Sequence, residues 1–242
     1  MSDYKTIHGI SIRDYTTDPD NLITGQVWFD KTNKVLQFQA AGAGAWATGG
    51  NLNTGRAELM GAGTQTAGLA FAGRSPNTGK TEKYNGTSWT EVGDLNASRH
   101  LASGGAGADN TSALAFGGGD NPKAYTELWN GSGWTEVNDL NTGRYNVASS
   151  GIATACLCYA GHTGSGASAL NESWNGTSWT EVADINSARA RTGAAGVDNT
   201  SALVFGGTPG GALTEVWNGS GWTEVGDLND SRCCLLYTSD AA

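Results

Sequence analysis

Four glutamates, Glu82, Glu127, Glu172 and Glu215, each stand at a constant spacing ahead of an arginine: Arg99, Arg144, Arg189 and Arg232. A ring of carboxylates could serve as general acids. Catalysis needs one asymmetric centre, however, and a feature copied into every unit reads more simply as structural. The expectation is a repeated ion pair, in which a planar guanidinium grips a carboxylate and backbone carbonyls together. The remaining candidates for chemistry are scattered. His8, His100 and His162 occupy non-equivalent places. There is no Gly-x-Ser-x-Gly elbow, no His-rich metal motif and no Gly-rich phosphate loop with its lysine. The cysteines fall as Cys156 with Cys158 and Cys233 with Cys234, neither pair spaced as a zinc ribbon or a redox Cys-x-x-Cys. Cys156 and Cys158 align with Gly68 and Ala70, Ala113 and Ala115, and Ala202 and Val204, so both are expected as buried free thiols. The sequence therefore predicts no enzyme, no metal and no cofactor.

The elements that carry these residues are repeats. The string from Tyr84 to Arg99, YNGTSWTEVGDLNASR, returns three more times, placing Trp89, Trp134, Trp179 and Trp222 at equivalent positions. Their spacing of about 45 residues is that of a four-stranded propeller blade, and a degenerate earlier copy ends at Trp46. In the unit from Asn96 to Val137, a small-residue strand over 99–107 turns at Asp109-Asn110-Thr111 into Ser112–Phe116. After a loop come Tyr125–Trp129 and Gly133–Val137, joined through Asn130-Gly131. Asn-Gly between strands predicts a type I′ hairpin turn. It recurs at Asn85-Gly86, Asn175-Gly176 and Asn218-Gly219, where the resulting Asn-x-Ser/Thr strings are read as turns rather than glycosylation sites.

Composition agrees with short strands and tight turns: 242 residues with 37 Gly, four Pro and 15% charged side chains, no long run of helix formers and no heptad. A net charge of −9 with dispersed Lys and Arg argues against a nucleic-acid partner. No apolar run has the length of a membrane span, and the first residues lack the order of a signal peptide.

Glycine pairs closing the second strand (Gly117-Gly118, Gly206-Gly207), an aromatic on the third (Tyr84, Trp129, Trp174, Trp217), Trp on the fourth and a closing Arg together resemble the Kelch repeat. The resemblance covers about residues 25–232 and implies a β-propeller of four-stranded antiparallel blades, the first strand innermost. Ala72-Gly73 and Ala160-Gly161 depart from the glycine pair. GQVWFDKTNKVLQFQ, then GAWATGGNLNTGR, then alanine- and glycine-rich blades are similar to Kelch-like tail fibre or tail-associated proteins of marine bacteriophages. That resemblance implies a virion location, the alternative being cytoplasmic.

The fold expected is all-β, a propeller of five blades, with a fragment of a six- or seven-bladed ring as the alternative. Residues 1–24 form an attachment segment and residues 25–242 the propeller. In the fifth blade 26–48 gives strands two to four, and the carboxyl end supplies the first. Residues 233–242 resemble translated sequencing adapter, in which case the natural protein continues beyond Arg232. Variable loops between the second and third strands are the expected binding surface, through Arg74, Asn77, Lys80, Asp120, Asn121, Lys123, His162, Thr163, Ser165 and Thr208. Trp129, Trp174 and Trp217 could stack sugars as in propeller lectins, but a repeated strand position favours packing. The expected activity is binding of a host-surface receptor, protein or glycan, alongside other tail proteins. A propeller lectin and a Kelch-type protein-interaction scaffold are the alternatives.

Overall fold

The computed structural model describes residues 13–15, 27–38, 48–74, 77–100 and 104–233. The chain divides into two compact units, Met1–Thr48 and Gly49–Ala242. Among the described residues there is no helix, and hence none long and apolar enough to cross a membrane.

The first unit holds a three-stranded sheet, β1 (Arg13–Tyr15), β2 (Val27–Asp30) and β3 (Val35–Phe38). The hairpin between β2 and β3 turns at 31–34. Asp30 Oδ1 accepts the N–H groups of Thr32 and Asn33 at 2.8 and 3.0 Å, which closes the turn. This sheet does not repeat the all-antiparallel order expected of a fifth blade, because β1 runs parallel to β2. The strand expected from the carboxyl end, opening at Arg232, runs into 234–242, which lie outside the described residues, as does most of the 1–24 segment.

The second unit contains four four-stranded antiparallel sheets, each formed in chain order, the arrangement of propeller blades. They are β4 to β7 (Met60–Thr64, Ala67–Phe71, Thr81–Tyr84, Trp89–Val92) and β8 to β11 (Gly104–Asp109, Ser112–Phe116, Thr126–Trp129, Trp134–Val137). Then come β12 to β15 (Ala148–Ile152, Ala155–Tyr159, Asn171–Trp174, Trp179–Val182) and β16 to β19 (Gly193–Ala195, Ala202–Phe205, Thr214–Trp217, Trp222–Glu224). The first strands touch in succession, β4 with β8, β8 with β12 and β12 with β16. Small residues suit this crowding: a Cβ added to Gly105 would come within 2.8 Å of the Gly61 carbonyl on the neighbouring sheet.

Tryptophans wedge the sheets together. Trp134 packs on Phe71 of the preceding sheet with ring centroids 4.9 Å apart, Trp179 on Phe116 at 4.8 Å and Trp222 on Tyr159 at 5.0 Å. The third-strand indoles Trp129, Trp174 and Trp217 are buried and donate to the carbonyls of Asn110, Ala153 and Asn199. They present no face to a sugar. Cys156 and Cys158 are buried free thiols; burial pushes Cys158 up to about 12 and Cys156 well above the usual thiol range.

Two local expectations change. The hairpin between third and fourth strands pairs Tyr84 with Trp89, leaving a four-residue loop, and only the glycine takes positive φ. Asn85 acts through its side chain instead, its Oδ1 accepting the N–H groups of Thr87 and Ser88 at 2.9 Å. The strand expected over 99–107 begins at Gly104, and Arg99 and His100 belong to the connector before it.

Candidate functional site

The ion pair exists, but in another register. Each arginine meets the glutamate downstream of it: Arg56 with Glu82 at 2.6 Å, Arg99 with Glu127 at 2.9 Å, Arg144 with Glu172 at 2.7 Å, and Arg189 with Glu215. The sequence spacing had coupled Glu82 to Arg99 and so on down the chain. The correction has a simple cause. The arginine sits in the connector entering a sheet, and the carboxylate that reaches it stands on the third strand of that same sheet.

All eight side chains are buried, so each charge needs its partner. An asparagine completes every carboxylate. Asn53, Asn96, Asn141 and Asn186 each donate both backbone N–H and Nδ2 to Oε2 of the glutamate, at 2.7–2.9 Å. Sequence reading missed these asparagines, although the repeated Asn three residues before each Arg was visible. Burial pushes the Glu82 carboxyl up, but the Asn53 N–H, the Arg56 guanidinium and the Asn53 amide together hold it below the usual carboxylate range.

The same guanidiniums fix the base of the loops. Arg99 Nη1 donates to the Tyr125 carbonyl at 2.9 Å, Arg144 Nη1 to Leu170 at 2.6 Å and Arg189 Nη1 to Leu213 at 2.7 Å. The loops between second and third strands thus rise from equivalent anchors, and above those anchors they differ.

At one place two loops converge. His100, buried in the connector after the first sheet, points Nδ1 at Asn77 Oδ1 (3.3 Å) and Nε2 at Asp120 Oδ1 (3.2 Å). Asn77 belongs to the loop of the first sheet and Asp120 to that of the second, so the imidazole ties the two together. Its single N–H, when neutral, can donate to either oxygen according to tautomer. A cleft of about 210 Å3 opens beside it, lined also by Asn121, Lys123 and Tyr125. Lys123 Nζ lies 5.7 Å from the ring centroid of Tyr125, a residue 40% exposed. Tyr125 also lines a neighbouring hollow of about 280 Å3 with Asn96 and Glu136.

Of the expected loop residues, then, Asn77, Asp120, Asn121 and Lys123 come together, around a histidine that sequence reading set aside. The rest do not join them. Arg74 approaches Glu58 at 3.6 Å, and Lys80 pairs with Glu91 across its own sheet at 2.8 Å. His162 stacks on Tyr145 with centroids 4.9 Å apart and accepts the N–H of Gly164 at Nδ1. The Thr163 and Ser165 hydroxyls bond each other at 3.0 Å. Thr208 exchanges backbone hydrogen bonds with Ala190.

Ser98 and the buried Arg99 also line the cleft. Besides these it offers a carboxylate, two amides, an ammonium, an imidazole and one aromatic face. Among the described residues no three His, Cys, Asp or Glu side chains gather as metal ligands. No protein-family model matches the chain, and no curated protein is detectably similar to it in sequence.

Proposed function

We propose that the chain is a non-enzymatic recognition module of the Kelch-like phage-tail type, which holds loops on a rigid repeated framework and displays them to a receptor on a host surface. In this reading residues 1–24 attach it to the rest of the tail. The observation that carries the proposal is the His100 cleft. It is the place where variable loops of two sheets are joined by a buried side chain, and its lining is polar with one exposed ring. Fixed anchors below and divergent side chains above are what a binding surface on a scaffold requires. The chemistry favours a saccharide as the receptor group. Asp120 can accept from sugar hydroxyls, Asn121 and Lys123 can donate to them, and Tyr125 offers a face for a pyranose ring. The buried strand tryptophans play no part in it.

The test applies the purified chain to arrays of bacterial surface glycans and to intact marine bacteria. Binding should fall roughly tenfold or more with the double variant His100→Ala, Asp120→Ala, the loss expected of a truncated binding centre, and stay unchanged with Thr177→Ala on the opposite, hairpin end. Binding that survives the cleft variant, or that tracks the hairpin variant, removes the cleft from the function.

A further inference from the structure

Three junctions between successive sheets share one set of contacts. The outer-strand tryptophan of the following sheet stacks on an aromatic of the preceding one. In the first two junctions its indole N–H reaches a third-strand hydroxyl, Trp134 to Thr81 at 2.9 Å and Trp179 to Thr126 at 3.1 Å. A glutamate from the following sheet then pairs with the connector arginine.

The fourth sheet carries the receiving half of this set. Phe205 stands in the place of Phe71, Thr214 in that of Thr81, and Arg232 in that of Arg99. The backbone at Arg232 is docked like its counterparts: Gly207 N–H donates to the Arg232 carbonyl at 3.0 Å, as Gly73 does to Arg99 at 2.9 Å and Gly118 to Arg144 at 2.8 Å. Only the side chains differ. The side chains of Arg99, Arg144 and Arg189 are at most 1% exposed, whereas that of Arg232 is 63% exposed and, among the described residues, pairs with the exposed Asp230 at 3.5 Å. The ring of Phe71 reaches Gly105 on the next sheet, while that of Phe205 lies over Gly193 of its own. Leu228 is half-buried where Leu95, Leu140 and Ile185 are buried.

We propose that this side of the fourth sheet is a docking surface for one further sheet of the same repeat type. It would be recognised by an indole that stacks on Phe205 and donates to the Thr214 hydroxyl, and by a carboxylate that pairs with Arg232. The occupant must bring an uncommitted carboxylate, since a guanidinium taken out of water needs a partner. The third-strand glutamates of the four sheets are already committed to Arg56, Arg99, Arg144 and Arg189, so a second copy docking through one of its own sheets has no third-strand carboxylate to offer. The partner is therefore a further repeat, bearing the Thr-Glu-x-Trp strand and the Trp-Thr-Glu-Val strand seen here.

A synthetic peptide of residues 124–140 imitates that partner, because outside the fold its Glu127 is free and it retains Trp134. It is titrated into the full chain by calorimetry. An isolated hairpin is only marginally ordered in water, so weak but saturable binding is expected. Glu127→Gln or Trp134→Ala in the peptide should each weaken it roughly tenfold, as expected of a buried anchor. Arg232→Glu in the chain should abolish binding of the native peptide, and a Glu127→Lys peptide should restore binding to that variant. Arg232 is exposed, so its substitution leaves the fold intact. The proposal is overturned by binding indifferent to Arg232→Glu, by failure of the charge swap, or by no saturation up to the peptide's solubility limit. Self-association of the chain that Arg232→Glu abolishes would also overturn it, by assigning the surface to a second copy.

Discussion

The two ends of the sheets obey different rules. At the hairpin end, every turn between third and fourth strands is closed by one device. Asn85, Asn130, Asn175 and Asn218 accept the N–H groups of the residues two and three further on, all at 2.9–3.0 Å. At the loop end the anchors repeat but what they support does not. The guanidinium holds the carbonyl before the third strand in each of the last three sheets, yet the residue at that carbonyl is Tyr125, Leu170 or Leu213. The residue after the arginine is Ala57, His100, Tyr145 or Ala190. Side chains that hold the chain in place recur, and those that face outward from a fixed backbone are free to diverge.

The comparison breaks most visibly at a buried anchor. Replacing Glu172 by Ala leaves Arg144 buried without its carboxylate, a loss of about 3–5 kcal/mol for breaking such a pair. Asp120→Ala, on the exposed loop above an equivalent anchor, should stay within about 0.5 kcal/mol. Chemical denaturation measures both. Cys158 gives a second readout, because its carbonyl accepts from Arg144 at 3.4 Å and its buried thiol stays protonated at neutral pH. Alkylation of Cys156 and Cys158 should be negligible in the native chain and rapid in Glu172→Ala. Equal stability losses at the two positions would erase the distinction between anchor and loop.

Acid titrates the same contrast more gently. Glu82 binds its proton less tightly folded than unfolded, so its contribution is present above its ordinary value of 4.5 and is lost as pH falls through the lower folded value. The denaturation midpoint should therefore fall on acidification below pH 4.5, and the Glu82→Gln variant should show a flatter profile over that window. Asp109 and Asp198 are lowered by the Thr111 and Thr200 hydroxyls and N–H groups, but neither is buried and their share is small. A midpoint indifferent to Glu82→Gln would show that the buried carboxylate is not a source of the pH dependence.

Repetition made the framework legible. Equivalent tryptophans, glutamates and arginines announced four sheets, and the strand Ser112–Phe116 was placed to the residue. Pairing partners were less legible because a periodic sequence offers each glutamate two arginines, one repeat apart, and spacing alone does not say which lies on the same sheet. The hairpin was misread for a related reason: Asn-Gly signals a turn, but its length depends on where the cross-strand pair Tyr84 and Trp89 closes. Two of the loops singled out converge on the cleft, yet His100 was set aside because it has no counterpart in other repeats. A residue used once leaves no pattern, so its role comes only from the neighbours that folding brings to it.

The third junction differs from its neighbours at the residue facing the indole N–H, and this gives the finest test. Where Thr81 and Thr126 accept the indole N–H of the following sheet, the third junction has Asn171. There Trp222 Nε1 and Asn171 Oδ1 are both buried without a hydrogen-bond partner, although the indole still stacks on Tyr159. A buried polar atom left unsatisfied costs about 1–3 kcal/mol. Asn171→Thr would supply the hydroxyl found at the first two junctions, but it also removes the bond from Asn171 Nδ2 to the Ala183 carbonyl at 3.1 Å. The net gain should then be about 0.5–1 kcal/mol, less than a full hydrogen bond's worth, seen as a small rise in the denaturation midpoint with an unchanged slope. The reverse change, Thr126→Asn, should cost a similar amount at the second junction. If the two substitutions shift stability in the same direction, the hydroxyl-to-indole bond is not what distinguishes these junctions.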